Sequence, residues 1–154
     1  MAKWYSKFSY ISERTKNNAF QLSCRNGHIR VAKWLSLLDI DIHVDNNNAF
    51  RMSCTNGHID VAKWLYQFGD VDLLIGYAFR LSCANGHIDV AKWLYQLGKI
   101  DIHELDDHVF RSSCRNGHID VAEWLYQLGA NIHVKNNEVF KCSPKIIVDW
   151  LKTL

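Results

Sequence analysis

From His58 to Phe68 the apolar residues Ile59, Val61, Ala62, Trp64, Leu65 and Phe68 fall at helical spacing. That stripe predicts an amphipathic helix with one face to bury. Asp60 in its first turn, like Asp89 and Asp120 elsewhere, complements the helix dipole. A shorter segment precedes it: Ala49, Phe50, Met52, Ser53 and Cys54 are small or apolar on one side and predict a second helix. Asn56-Gly57 separates the two, because glycine takes the left-handed conformation that ends helices. Asn-Gly also signals a hairpin, but the flanks show helical rather than alternating periodicity, which excludes strands. Gly69, Gly98 and Gly129 close the longer helices, with Asp39 in that place in the first copy. Asn17, Asn47, Gly76, Asp107 and Asn137 stand just ahead of the shorter ones, where short polar side chains predict N-caps.

This two-helix unit recurs. The tryptophans Trp4, Trp34, Trp64, Trp93, Trp124 and Trp150 are spaced 30, 30, 29, 31 and 26 residues apart. Phe20, Phe50, Phe79, Phe110 and Phe140 keep the same ruler, as do Cys24, Cys54, Cys83 and Cys114 and the Gly-His pairs ending at His28, His58, His87 and His118. Four registers sharing one period define a repeat protein, in which each unit buries its apolar face on its neighbours. Residues 1–16 read as a capping second helix, since Ala2-Lys3-Trp4 matches Ala32-Lys33-Trp34. Residues 17–137 form four repeats, and 138–154 a shortened C-terminal capping repeat broken by Pro144, with Ile146, Ile147, Trp150, Leu151 and Leu154 as its closing stripe. The expectation is one all-α domain over 1–154, a solenoid of five first helices and six second helices.

Composition narrows the function classes. With 48% hydrophobic and 22% charged residues the chain has the make-up of a globular domain. No apolar run approaches the ~20 residues of a membrane span, and the N-terminus lacks the apolar core of a signal peptide. A net charge of +2 is too small for a generic nucleic-acid binder. Five cysteines, four of them one per repeat, predict a reducing compartment, cytosol or nucleus.

The run from Asn116 to His133, NGHIDVAEWLYQLGANIH, resembles the Gly-His core and second-helix pattern of the ankyrin repeat, and the likeness extends over nearly the whole chain. Two features depart from that family: Asn48-Ala49-Phe50-Arg51 stands in place of its Thr-Pro-Leu-His tetrapeptide, and the period is near 30 rather than about 33. The short period and the tryptophan column are similar to ankyrin proteins multiplied in giant DNA viruses of amoebae. The resemblance implies an ankyrin-like helix-pair solenoid and non-enzymatic protein–protein recognition, directed at a host component if the source is viral. It places the contact residues at first-helix ends, Arg25, Asn26, Thr55, Asn56, Ala84, Asn85, Arg115 and Asn116. It places others on the inter-repeat hairpins: Asp45, Asn46, Tyr77, Asp106, Asp107, His108, Lys135, Asn136 and Glu138. These positions differ between repeats far more than those of the second helices.

Several patterns invite sharper chemistry. Cys-x3-His recurs at Cys24/His28, Cys54/His58, Cys83/His87 and Cys114/His118. Each unit offers two ligands about one ~10 Å helix spacing from the next, a poor fit to tetrahedral zinc. The cysteines read instead as small core residues and the histidines as ties for the inter-helix loop. Four equivalent thiols also argue against a nucleophile, which needs one unique geometry. No phosphate loop, oxyanion donor set or paired carboxylates stand out, so the sequence points to no enzyme, cofactor, metal or small-molecule substrate. The tryptophan column reads as core packing. Gln21, Arg51, Arg80, Arg111 and Lys141 form a largely basic column on the first helices, with Arg25 and Arg115 nearby. It has two readings: internal pairing with Asp45, Asp106, Asp107 or backbone carbonyls, and an electropositive groove for an acidic protein segment. Val71–Tyr77 is an unusually apolar connection, either a buried loop or a hydrophobic contact patch. The competing functions are a nucleic-acid module using the basic column, a ubiquitin-ligase recruitment adaptor and a piece of a longer array.

Overall fold

A computed structural model describes residues 11–154 except Lys99, and over 134–137 the backbone alone. The capping helix expected over residues 1–16 lies, for its first ten residues, outside the described ones. Among the described residues ten α-helices form five pairs: α1 (Glu13–Arg25) and α2 (Ile29–Leu35); α3 (Val44–Thr55) and α4 (Ile59–Tyr66); α5 (Ile75–Ala84) and α6 (Ile88–Gln96); α7 (Glu104–Arg115) and α8 (Ile119–Gln127); α9 (Val134–Cys142) and α10 (Lys145–Leu151). A 3-10 turn at Asp72–Leu74 precedes α5, and there is no strand among the described residues. The all-α helix-pair repeat read from the sequence is the fold observed.

The chain groups into two compact units. The first holds the chain up to Ser53 together with His58–Asp72, and the second Cys54–Gly57 together with Leu73–Leu154. In the first unit α1 packs on α2. In the second, α5 packs on α6 and α7 on α8, while the first helices α5, α7 and α9 stack in succession and α10 closes on α9. Each repeat sends one phenylalanine into the interior: Phe20 and Phe50 in the first unit, Phe79 and Phe110 in the second, all at most 1% exposed. Each such ring contributes roughly 1.5–3 kcal/mol by leaving water. Ala32, Ala62, Ala91 and Ala122 are fully buried, and small side chains there let the second helices lie close to their partners.

Helix ends follow the sequence reading on one side and depart from it on the other. Gly27, Gly57, Gly86 and Gly117 all take the left-handed conformation, φ between 73° and 82°, and stop the first helices as expected. Asp39, φ 54°, does for α2 what Gly69, Gly98 and Gly129 do for later second helices. The expected N-caps do not cap. Asn17 lies inside α1, whose cap is Ser12, its hydroxyl accepting from the Thr15 N–H at 3.3 Å. Gly76 and Asn137 lie inside α5 and α9. Asn47 and Asp107 end three-residue left-handed turns, Asp45-Asn46-Asn47 (φ 54°, 57°, 55°) and Leu105-Asp106-Asp107 (φ 56°, 57°, 51°). Left-handed backbone costs a non-glycine residue about 1–2 kcal/mol and is best tolerated by Asn and Asp, which supply five of these six positions. The Asn47 and Asp107 side chains are committed to His43 and His103 and so leave the helix N–H groups alone.

Candidate partner-binding surface

The inner edge of each repeat is built from Ser-Cys-x-Asn-Gly-His. The glycine N–H donates to the cysteine carbonyl, as Gly86 to Cys83 at 3.2 Å. The histidine N–H donates to the serine carbonyl, as His87 to Ser82 at 2.9 Å. This is the Schellman arrangement that satisfies the last carbonyls of a helix. Two further links join successive repeats. Ser82 Oγ donates to Cys54 O at 3.2 Å and Ser113 Oγ to Cys83 O at 3.1 Å, both serines being fully buried. Three of the histidine rings also lie over the glycine of the repeat before: a Cβ on Gly27, Gly57 or Gly86 would sit 2.5 Å from Nδ1 of His58, His87 or His118. Pro144 takes that place over Gly117. The histidines, expected to tie their own loop, therefore also clamp the neighbouring one, and the serines act where only small core residues were expected.

The same frame removes the thiols from chemistry. Cys24, Cys54, Cys83 and Cys114 are fully buried. Burial pushes the Cys24 and Cys114 thiols up to about 12, and raises that of Cys83 further. A thiol so held is neither nucleophile nor ready metal ligand. Among the described residues no three His, Cys, Asp or Glu side chains converge as a metal site. No described helix is long and apolar enough to cross a membrane.

At the outer edge, Asp41 Oδ1 accepts the His43 N–H at 2.9 Å, and Asp101 and Asn131 repeat this turn with His103 and His133. His43 Nδ1 then reaches Asn47 Oδ1 at 2.6 Å, and Asn47 Nδ2 donates to Asp70 O at 2.9 Å. The fourth repeat uses a carboxylate instead: Asp107 Oδ1 lies 2.9 Å from His103 Nδ1 and 3.3 Å from the Asn131 N–H. Asp107 is only 5% exposed, so it braces the turn and does not face a partner, in correction of its placement among the contact residues.

Four of the five residues of the basic column are paired within the chain. Gln21 Nε2 donates to Asp45 Oδ2 at 2.9 Å, and Arg51 to the Asp45 carbonyl and Asn48 Oδ1, each at 3.3 Å. Arg80 meets Glu104 at 3.4 Å and lies over the Tyr77 ring at 5.9 Å. Arg111 donates to the Leu105 and Asp106 carbonyls, 3.1 and 2.9 Å, and to Glu138 at 2.9 Å, while Arg115 binds the other oxygen of Glu138. Arg51 and Arg111 thus collect carbonyls of the left-handed turns. Of the two sequence readings, pairing is the one realised for Arg51, Arg80 and Arg111, with Glu104 and Glu138 as acids the sequence did not single out for it. Lys141 is exposed at the end of the column. Arg25, Asp45, His108 and Arg115 are exposed, Tyr77 is 41% exposed and Thr55 is half-buried.

Two apolar features also resolve. The tryptophan column is not core. Trp34 is 45% exposed and Trp64, Trp93, Trp124 and Trp150 are half-buried. Two of them sit between repeats: Trp64 meets Phe20 edge-on at 6.2 Å, and Trp124 meets Phe79 in the same way at 6.2 Å. A tryptophan placed after the buried Ala62 or Ala122 is carried to the rim of the helix pair, where the preceding repeat covers one side of it. In the Val71–Tyr77 connection, Val71 and Ile75 are buried whereas Leu73 is 98% exposed.

Helix pairs joined by glycine-histidine turns and clamped repeat to repeat through serine, histidine and phenylalanine define an ankyrin-like repeat protein. Residues 77–126 match the family model of ankyrin repeats in many copies. No curated protein sequence matches the chain. Ankyrin repeats generally mediate protein–protein interaction and are typically not enzymes, which is the function class this similarity supports.

Proposed function

We propose that the chain is a non-enzymatic recognition module whose protein partner meets the first-helix ends and hairpin tips. The observation that carries this reading is the division of labour within each repeat. Ser, Cys, Gly and His build the frame, whereas the residue after each cysteine changes from repeat to repeat: Arg25, Thr55, Ala84 and Arg115 share one register of the sequence, Arg25 and Arg115 exposed and Thr55 and Ala84 half-buried. Such a register can be rewritten for a target without disturbing the core. Because Arg51, Arg80 and Arg111 hold turns and acids of their own chain, the contact role passes to Arg25, Asp45 and Thr55 and to Tyr77, His108 and Arg115. An acidic partner segment remains part of the proposal through Arg25, whereas Arg115 is shared with Glu138 of its own chain. A viral source, a host target and a reducing compartment belong to it as well, resting on the short period, the tryptophan column and the buried thiols.

The test is affinity capture from a cell lysate with the native chain and with an Arg25→Glu, Tyr77→Ala, His108→Ala variant of unchanged Tm. A protein held by the native chain and lost by the variant supports the reading. Equal capture by both moves the contact away from this edge, and enrichment of nucleic acid alone overturns it.

A further inference from the structure

The second helices are near-copies: IDVAKWLYQ starts at Ile59 and Ile88 and, with Glu123 in place of lysine, at Ile119. The first repeat departs from them. Ser36 stands where the others have Tyr66, Tyr95 and Tyr126, and Leu37 where they have Gln67, Gln96 and Gln127. Phe68 is a third departure, since later repeats carry Leu97 and Leu128 there. All three departures line one groove of the first unit, together with Trp64 and Lys33, enclosing about 630 Å³. Leu37 is 66% and Phe68 46% exposed, so an apolar surface stands where the pattern elsewhere places glutamine.

The second unit shows what fits such a groove. There Phe79 and Trp124 meet at 6.2 Å and 72°, and Tyr95 completes a cluster of three rings, 5.7 Å from Trp124 and 6.4 Å from Phe79. In the first unit Phe20 and Trp64 hold the same pair geometry, 6.2 Å and 68°. No ring stands at the position of Tyr95, which Ser36 occupies. Ser36 turns its hydroxyl onto the carbonyl of Lys33 at 2.9 Å, and Trp64 meets Phe68 edge-on at 5.4 Å. The Lys33 ammonium lies 5.9 Å over the Trp64 ring, which puts a positive charge at the rim.

We propose that this groove receives a tyrosine side chain from a segment of a partner protein, with an acidic residue beside that tyrosine facing Lys33. The guest ring takes the place that Tyr95 fills in the second unit, edge-on to Trp64, the geometry aromatic pairs prefer. This surface lies on the second helices and is separate from the first-helix edge, so its test stands or falls independently of the capture experiment above.

The experiment titrates the full chain with N-acetyl-Glu-Tyr-amide, using N-acetyl-Glu-Leu-amide as control, and follows the Trp64 indole N–H by NMR. The expected result is a saturable shift with the tyrosine dipeptide that is at least severalfold weaker with the leucine one. Ser36→Tyr, which supplies the ring from within, abolishes the shift. Should that variant fail to fold, the paired change Leu37→Gln, Phe68→Leu weakens binding by up to about tenfold, the factor that one aromatic contact is worth. Four outcomes overturn the proposal: equal shifts with both dipeptides; no shift with either; tyrosine binding unaltered by these substitutions; or a Trp64 signal that already reports another occupant. That last case is recognised by dependence on protein concentration, which gives the groove to a second copy. It is also recognised by a change on Tyr5→Ala, Phe8→Ala substitution, which gives it to the chain's own N-terminal segment.

Discussion

The two units carry the same Phe–Trp pair at the same separation, yet the second adds Tyr95 and the first leaves an opening beside Ser36. The rings shared by both are those that hold one repeat on the next: Phe20 and Phe79 are buried and each touches the tryptophan in the second helix of the next repeat. The ring that differs sits at the rim, where its loss removes contact without opening the core. A repeat array therefore has two tolerances. Positions that join repeats are fixed from both sides, and rim positions can be given up and put to other uses.

Removing the shared ring is the largest way to break the comparison. Phe20→Ala and Phe79→Ala should each cost about 3–5 kcal/mol, as buried aromatic truncations do. Phe79→Ala should be the worse, because it also strips the Tyr95 contact that Phe20 has no counterpart for. Urea denaturation followed by far-UV circular dichroism measures both. If Phe20→Ala proves equal or worse, the third ring adds nothing to the second unit.

Next in size is the glycine clamp, testable wholly within the second unit. Gly86 and Gly98 have nearly the same backbone, φ 77° and 76°, but a Cβ on Gly86 would meet His118 at 2.5 Å and one on Gly98 would meet nothing within 4 Å. Gly98→Ala should cost about 1–2 kcal/mol, the left-handed penalty alone. Gly86→Ala should cost a further 1–3 kcal/mol or so for overpacking. Adding His118→Ala to Gly86→Ala should recover part of that excess, a coupling that a double-mutant cycle reads directly. Equal losses at the two glycines would mean that the histidine ring moves aside freely.

What was legible in the sequence was what a single repeat encodes. The stripe at Val61, Ala62 and Leu65 fixes a helix and its buried face, Gly57 ends its partner, and Cys54 is a core residue because its spacing points inward. The relations between repeats were not legible, because spacing within a unit says nothing of what the next unit brings. The Ser113 hydroxyl on the Cys83 carbonyl, the His118 ring on Gly86 and the half-exposed Trp124 all depend on the neighbour's placement. The left-handed turns escaped for another reason. Asn47 and Asp107 are as apt for a cap as for left-handed backbone, and only their bonds to His43 and His103 decide between the two. For the arginine column the sequence posed the right alternatives, and Glu104 and Glu138, one repeat further on, decided them.

Exchanging the differing ring should give smaller effects of opposite sign. Tyr95→Ser should destabilise the second unit by about 1–3 kcal/mol, losing buried ring surface and the edge-on contact with Trp124. Ser36→Tyr should stabilise the first by about 0.5–1.5 kcal/mol, the worth of an added aromatic contact. Thermal unfolding of the two variants beside the native chain measures both. A destabilised Ser36→Tyr would show that the first unit has closed in around its serine and no longer has the shape of a site for a ring.

The smallest effect separates two departures that lie close together in the first repeat. Asp39 holds φ 54° where the later repeats place Gly69, Gly98 and Gly129. Aspartate tolerates this conformation better than most residues, yet glycine adopts it at no steric cost. Asp39 is exposed, so the change should disturb little else. Asp39→Gly should therefore raise stability by about 0.5–1 kcal/mol, read as a small upward shift of the unfolding midpoint. It should leave the response of Trp64 to the tyrosine dipeptide unchanged, because Asp39 does not line the groove. A gain in stability with binding intact would mark the helix-end departure as a tolerated variant of the glycine stop, distinct from the changes at Ser36 and Leu37 that shape a surface. Loss of binding would mean instead that the left-handed aspartate sets the position of Leu37 and that the two departures form one feature.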